Sequence, residues 1–211
     1  MVRKSKINLA PVKRIALILA AASSLIANFL YERHNREIID ALSKDALVIL
    51  KTDTIYGIVG RASSPYANNR LYEVKGRESS KGFIVLVSSV EDIPGLSNEQ
   101  KQIYVDLHNE RPTTLVTAVP DSYLPHLTRH EDTLAFRVVN VPALKELIEK
   151  VGPLLAPSAN PQGLPPAKNI DEAKIYFRDQ VKYFVDSGEV EQNRPSRIIR
   201  VIRGELVTIR D

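Results

Sequence analysis

The chain has 211 residues, of which 44% are hydrophobic and 26% are charged, a composition typical of a globular domain that can bury a core. Its net charge is +4 and it contains no cysteine, which excludes a disulfide framework, a thiolate zinc site and a thiol nucleophile. The mild positive charge suits an anionic partner such as a nucleotide or RNA, and it is also typical of a well-solvated surface.

The N-terminus combines a basic start with an apolar run. Cations lie at positions 3, 4, 6, 13 and 14, and the apolar run covers residues 15–30. This pattern is typical of a targeting signal or anchor, and the same residues fit a helix that docks on the domain or a misplaced translation start. We therefore predict an N-terminal extension over residues 1–33 and a single domain over residues 34–211. The absence of cysteine agrees with a cytoplasmic protein, which we expect here, with targeting or anchoring by the extension left open.

From residue 35 onward, short apolar strands alternate with amphipathic helices. Ser63 or Ser64 followed by Pro65 predicts the start of a helix. In chain order up to residue 119, the patterns predict helices over 35–42, 65–74 and 97–108 and strands over 46–50, 83–87 and 114–119.

The second half of the chain continues this alternation and then loses it. In chain order, the patterns predict a strand over 135–139, a helix over 142–151, a strand over 154–156, a helix over 171–177, and strands over 183–185, 197–201 and 206–209. The last three strands follow without clear helices between them, which indicates a mixed sheet. The predicted fold class is α/β, a single domain with a twisted, mostly mixed β-sheet flanked by helices.

Two polar segments flank the helix predicted over 65–74. Residues 51–57 (KTDTIYG) follow a buried strand and place hydroxyls and a carboxylate at the end of that strand, where α/β sheets bind ligands. Residues 75–81 (KGRESSK) place three cations in a loop that suits phosphate or carboxylate oxygens. Either segment alone also fits an ordinary turn or a set of cations that complements the helix dipole.

A third polar segment, residues 157–160 (PSAN), follows the strand predicted over 154–156. Ser158 and Asn160 can bond a base, a ribose or a phosphate, or form a structural turn. Because neither a glycine-flanked elbow nor a partner histidine is present, Ser158 is predicted to donate hydrogen bonds rather than to act as a nucleophile.

The sequence lacks the common motifs for binding nucleotides and a complete set of metal ligands. It contains neither a phosphate-binding P-loop motif nor a dinucleotide fingerprint, so any ATP site must be built differently. His126 and His130 are spaced i, i+4 beside Glu131 and Asp132. We predict no metal site there, because a third well-placed ligand is lacking.

In their order along the chain, these segments resemble the motifs of the threonylcarbamoyl-AMP synthase family, in its short, single-domain YrdC/Sua5-like form. Residues 51–57 resemble P-T-[DE]-T-x-Y-G, and residues 72–77 (YEVKGR) resemble [YF]-E-x-K-x-R. Residues 156–163 (APSANPQG) resemble A-P-S-A-N-x-S-G. Weaker matches are residues 111–116 (RPTTLV), 133–137 (TLAFR), 186–188 with Ser196, and 202–204.

The resemblance implies a fold, a reaction and partners. Members of the family make L-threonylcarbamoyl-AMP and pyrophosphate from L-threonine, bicarbonate or CO₂, and ATP, for the t6A modification of tRNA. We therefore expect a nucleotidyltransferase with the YrdC-like α/β fold, ATP that arrives with Mg²⁺, and a threonylcarbamoyl transferase downstream. Direct binding of tRNA or another double-stranded RNA is left open, and no membrane partner is implied.

The resemblance also assigns roles to single residues. Lys75 and Arg77 are the predicted catalytic residues, which hold carbamate and phosphate oxygens. The predicted L-threonine-binding residues are Thr52, Arg137, Ser158 and Ser196. The predicted ATP-binding residues are Arg77, Lys81, Thr133, Asn160 and Arg203.

Four positions depart from the family motifs. They are Lys51 for proline, Gln162 for serine, Lys168 for a small hydroxyl residue, and Arg197 for threonine. Because the cations of the site are retained, we keep the predicted activity. One alternative stays open, a non-catalytic relative that binds RNA through the same cationic face.

Overall fold

The computed structural model describes residues 35–190 and 196–211. The chain divides into two units, Met1–Ile38 and Ile39–Asp211, and the sheet and the site lie in the second. The predicted extension over residues 1–33, with its basic start and apolar run, lies outside the described residues, so the boundary after residue 33 stays a prediction. Within the described part, no helix has both the length and the apolar character needed to cross a membrane.

Helices and strands alternate along the described chain much as predicted. The helices are 35–43 (α1), Pro65–Lys75 (α2), Asn98–Glu110 (α3), Pro142–Val151 (α4) and Ile170–Phe177 (α5). The strands are Val48–Lys51 (β1), Tyr56–Arg61 (β2), Ile84–Val87 (β3), Thr113–Ala118 (β4), Thr133–Val138 (β5), Leu154–Leu155 (β6), Tyr183–Phe184 (β7), Arg197–Ile202 (β8) and Glu205–Arg210 (β9).

All nine described strands form one sheet in the order β7-β1-β2-β6-β3-β5-β4-β8-β9. The pairs β1–β7, β3–β5 and β4–β8 are parallel, and the other neighbouring pairs are antiparallel. Helix α2 packs on β2, α3 on β4, α4 on β3 and α5 on β1. The predicted α/β class with a mixed sheet flanked by helices is confirmed.

Strand β2 is the element that the sequence pattern missed. The pattern predicted only a polar turn over residues 51–57, whereas Tyr56–Arg61 pairs with both β1 and β6. Two glycines lower the strand propensity of this segment, but Gly60 is needed for close packing. A Cβ atom there would lie 2.8 Å from Leu47 Cδ2 and 3.0 Å from Ala67 Cβ, so the helix α2 can approach the strand only over a glycine.

Helix α2 begins and ends as the sequence indicates. The Ser64 side chain accepts a hydrogen bond from Ala67 N, Pro65 occupies the first turn, and Gly76 ends the helix with φ of 57°, a left-handed conformation that glycine adopts without strain. This geometry places Lys75 at the last turn and Arg77 just beyond the helix.

The sheet brings two of the polar segments together. The segment after β6 runs beside β2, where Ile58 N donates to Pro157 O at 3.0 Å and Ala159 N donates to Tyr56 O at 2.8 Å. Residues 52–55 and 156–160, which are about a hundred positions apart in the sequence, therefore lie side by side at one edge of the central strands.

Candidate active site

The turn between β1 and β2 is held by one threonine side chain. Thr52 Oγ1 donates to Ile55 O at 2.8 Å and accepts from Thr54 N at 3.3 Å and Ile55 N at 3.4 Å. The side chain of a short polar residue thus replaces the backbone partners that a turn lacks. Thr52 is buried, so the turn holds it in one place.

Lys75 fixes the segment that follows β6. Its Nζ atom donates to Ser158 O and to Asn160 O, both at 2.5 Å, and its own carbonyl accepts from Gln162 N at 2.7 Å. The side chain is almost fully buried, and no carboxylate among the described residues forms an ion pair with it. Lys75 therefore ties the end of α2 to the loop that carries Ser158 and Asn160.

Burial, and secondarily the positive charge of Arg77, lower the pKa of Lys75 to about 8. Desolvation penalises the charged ammonium, and a second cation nearby adds to that penalty. A buried ammonium that contacts only carbonyl oxygens is held without a counter-charge, so an anion that enters nearby stabilises it.

Arg77 stabilises its own loop and also faces the cavity described below. Its Nε donates to Lys81 O at 3.3 Å and its Nη2 to Gly82 O at 3.1 Å, while the guanidinium lies 5.2 Å from the centre of the Phe83 ring. These contacts use part of the guanidinium fork and leave the remaining N–H groups for a ligand.

Ser196 and Arg210 come from the other end of the sheet. Ser196 Oγ lies 2.8 Å from Thr114 Oγ1, and Arg210 Nη2 donates to Ser196 O at 2.8 Å. The sequence reasoning missed Arg210 because β9 reads as an ordinary edge strand.

These elements enclose a cavity of about 290 Å³. Five predicted site residues line it, namely Thr52, Arg77, Arg137, Ser158 and Ser196. The described residues that line it include three arginines, at positions 77, 137 and 210, and no acidic residue. A concave surface with three cations and several hydroxyl groups is suited to an anionic, polar ligand.

The remaining predicted site residues do not line this cavity. Lys75 Nζ donates to the carbonyls of Ser158 and Asn160, as described above. Lys81 pairs with Glu78 at 3.1 Å, and Thr133 Oγ1 donates to His130 O at 2.6 Å. Asn160 Nδ2 donates to Leu164 O at 2.6 Å. Their predicted roles stay predictions.

Arg203 lies in the turn between β8 and β9 and is exposed, with φ of 52°. It is not among the residues that line the cavity, whereas Arg210 is. The predicted contact of Arg203 with ATP therefore stays a prediction that the cavity does not support.

The four departures from the family motifs have structural contacts outside the cavity. Lys51 Nζ donates to Glu189 O at 2.9 Å. Arg197 pairs with Glu110 and with Asp211, each at 3.2 Å. The backbone groups of Gln162 and Lys168 bond to Lys75 O and Val190 N. None of the four lines the cavity, so the departures leave its wall unchanged.

The histidine pair considered from the sequence does not form a metal site in the described structure. His126 Nε2 lies 2.9 Å from Ala62 O. Over residues 35–190 and 196–211, no group of three or more histidine, cysteine, aspartate or glutamate side chains comes together as metal ligands would.

Comparison with known proteins gives a consistent result. The family described as "Telomere recombination" (Sua5, YciO and YrdC) matches residues 40–211. A threonylcarbamoyl-AMP synthase of Pseudomonas fluorescens is 30% identical over 165 residues, which are 77% of this chain and 89% of that protein. A putative threonylcarbamoyl-AMP synthase of Methanocaldococcus jannaschii is 27% identical over 188 residues, 86% of this chain and 89% of that protein.

A solved structure agrees with these matches. The structure of P. abyssi Sua5 complexed with L-threonine superposes with a TM-score of 0.71 at 27% identity, covering 83% of this chain and 53% of that chain. This chain thus spans about half the length of that protein. The matched family model covers most of the chain, and the resemblance based on motifs is confirmed: the chain belongs to the Sua5/YciO/YrdC family.

Proposed function

We propose that this protein is an L-threonylcarbamoyladenylate synthase, which forms threonylcarbamoyl-AMP and pyrophosphate from L-threonine, bicarbonate or CO₂, and ATP. The observation that carries the proposal is the cavity in which three arginines and the hydroxyls of Thr52, Ser158 and Ser196 converge, with no acidic side chain among the described residues of its wall. Two anionic reactants must meet in this reaction, and fixed cations reduce their mutual repulsion. The names of the relatives support the same activity.

The chemistry requires no nucleophilic side chain. The threonine amine first forms a carbamate with CO₂, releasing a proton, or with bicarbonate, releasing water. A carbamate oxygen then attacks the α-phosphorus of ATP, the new O–P bond forms, and the bond to the bridging oxygen breaks so that pyrophosphate leaves. Charge builds on the α-phosphate oxygens, where preorganised N–H donors are most effective.

The residues of the cavity divide between the two substrates in this proposal. Arg137 offers a guanidinium to the threonine carboxylate, and Thr52, Ser158 and Ser196 offer hydroxyls to its polar groups. Arg77 and Arg210 then lie on the side left for the carbamate and phosphates. Lys75 holds the loop of Ser158 in place and adds positive charge behind it.

ATP would arrive as its Mg²⁺ complex in this proposal. The described cavity wall has cations and hydroxyls rather than the carboxylates that Mg²⁺ prefers, which fits a metal carried by the substrate phosphates. The same proposal includes the Mg²⁺ and the ATP contacts of Lys81, Thr133 and Asn160. It also includes the delivery of the product to tRNA modification and a cytoplasmic location.

The test is pyrophosphate release from ATP and Mg²⁺, measured with L-threonine and bicarbonate together and with each omitted. We expect release only when both are present, and a product with the mass of threonylcarbamoyl-AMP. Arg137→Met should abolish most of the threonine-dependent pyrophosphate release. Protein that binds double-stranded RNA but releases no pyrophosphate would instead support the non-catalytic alternative.

A further inference from the structure

Asp53 lies next to the cavity but does not line it. It follows Thr52 in the turn between β1 and β2, and only 4% of its side chain is exposed. Its Oδ1 atom lies 3.0 Å from Nη2 of Arg137, whose side chain is 6% exposed. The two opposite charges are therefore buried together in the wall behind the proposed threonine site.

The geometry of this pair is incomplete. Although the ion-pair distance is 3.0 Å, neither carboxylate oxygen of Asp53 nor Nε of Arg137 has a hydrogen-bond partner of good geometry among the described residues. Buried carboxylates and guanidinium groups normally have all their polar atoms satisfied. The pair is thus held by charge rather than by a full set of hydrogen bonds, and a ligand carboxylate, which only accepts hydrogen bonds, can bond to Arg137 but not to Asp53.

The backbone of Arg137 is fixed by the sheet, but its guanidinium group is not. Strand β5 lies between β3 and β4, and the next residue, Val138, donates from its backbone N to Tyr104 Oη at 3.0 Å. The guanidinium itself has one polar contact among the described residues, the one to Asp53. Asp53 is therefore the polar partner that positions the guanidinium group of Arg137.

We propose that Asp53 is a positioning residue, which holds the guanidinium of Arg137 against the cavity wall so that it recognises a carboxylate of the ligand. Nη2 lies 3.0 Å from Asp53 and Nε is buried, so the further N–H donors on the two Nη groups of the guanidinium fork remain for the ligand. Asp53 then helps to select amino acids with a free carboxylate over their amide analogues. The identity of that ligand as L-threonine rests on the proposed function.

The first experiment measures binding of L-threonine and L-threoninamide to the full chain by calorimetry. Asp53→Ala should weaken the binding of L-threonine at least tenfold and leave the affinity for L-threoninamide nearly unchanged. The preference of the protein for the ligand with the carboxylate is then lost. The lost negative charge alone would favour an anion, so weaker binding of L-threonine reports the lost position of Arg137. Asp53→Asn supplies an oxygen of the same shape and should restore part of the affinity.

A double-mutant cycle tests whether Asp53 acts through Arg137. In an Arg137→Met background, Asp53→Ala should cause no further loss of L-threonine affinity. The matched control is Asp45→Ala, which breaks the ion pair with Arg61 at 2.6 Å outside the cavity and should leave both affinities unchanged. Wild-type L-threonine affinity in folded Asp53→Ala, or an equal loss for both ligands, would overturn the proposal.

Absence of L-threonine binding to the wild-type protein would contradict the proposed function rather than the pairing itself. Urea unfolding of the wild type, Asp53→Ala, Arg137→Met and the double mutant then tests the pairing of the two residues. A coupling between the two substitutions supports the pair, and strictly additive effects overturn it.

Discussion

The two sides of the cavity are built in different ways. One side consists of the turn over residues 52–55 and the loop over residues 156–160, and we call it the loop wall. Its groups are fixed by side chains that bond to backbone, through Thr52 and Lys75. The other side consists of Ser196 and Arg210, which we call the strand wall. It is held by the pairing of β8 with β4 and β9.

The difference shows where each side is sensitive to change. A buried ammonium ties the carbonyls of Ser158 and Asn160 to α2, so loss of this one group removes both side-chain hydrogen bonds between the loop and that helix. The strand wall has many backbone hydrogen bonds and relies less on any one side chain. We therefore expect substitutions in the loop wall to have the larger effects.

The largest expected effect is that of Lys75→Met on threonine-dependent pyrophosphate release. Two hydrogen bonds from a charged donor are worth roughly 3 kcal/mol together, and their loss corresponds to a decrease of about 100-fold if the loop must be in place in the transition state. Steady-state assays with circular dichroism as a check of folding would measure this.

Lys44→Met is the matched control, because Lys44 forms an exposed ion pair with Asp40 at 2.7 Å. Exposed pairs contribute at most about 1 kcal/mol, so its activity should equal that of the wild type. If Lys75→Met is folded and retains near-normal activity, the loop wall does not depend on the ammonium.

The strand wall should respond more weakly. Arg210→Met removes one cation from the cavity and the hydrogen bond to Ser196 O, and we expect kcat/KM for ATP to fall by about tenfold, as for one charge-assisted contact. The comparison with Arg203→Met is informative, since Arg203 does not line the cavity. A larger loss in Arg203→Met than in Arg210→Met would restore the assignment made from the sequence.

This contrast also explains what could be predicted from the sequence. The loop wall and Arg77 follow from short motifs, because Thr52, Arg77 and Ser158 lie in contiguous segments with recognisable turns and caps. Arg210 was missed because its position depends on a register shift between Ile198 and Ile199 in the β8–β9 pair. Such a bulge turns a side chain toward a new partner and leaves no trace in the hydrophobic pattern. Asp53 was noted only as part of a polar turn, because its partner lies on a distant strand.

A smaller effect is expected in the pH dependence of stability. Burial lowers the pKa of Lys75 from 10.5 to about 8, so between these values the unfolded chain binds more protons than the folded one and stability rises with pH. From pH 7 to pH 9 the contribution of Lys75 should increase stability by roughly 1 kcal/mol. Urea unfolding of the wild type and Lys75→Met would show it as a difference between their two pH profiles. Identical profiles would show that the pKa of Lys75 is not lowered.

The smallest expected effect is that of Lys51→Ala, which tests the departure from the family motif beside the loop wall. Its one described side-chain contact is the exposed hydrogen bond from Nζ to Glu189 O, and such a bond contributes about 1 kcal/mol or less. Because Lys51 does not line the cavity, we expect kcat and the KM for L-threonine to stay within about twofold of the wild-type values. An increase in KM of more than about fivefold would show that the segment around Glu189 helps to close the loop wall. The side chains that maintain this wall would then extend beyond Thr52 and Lys75.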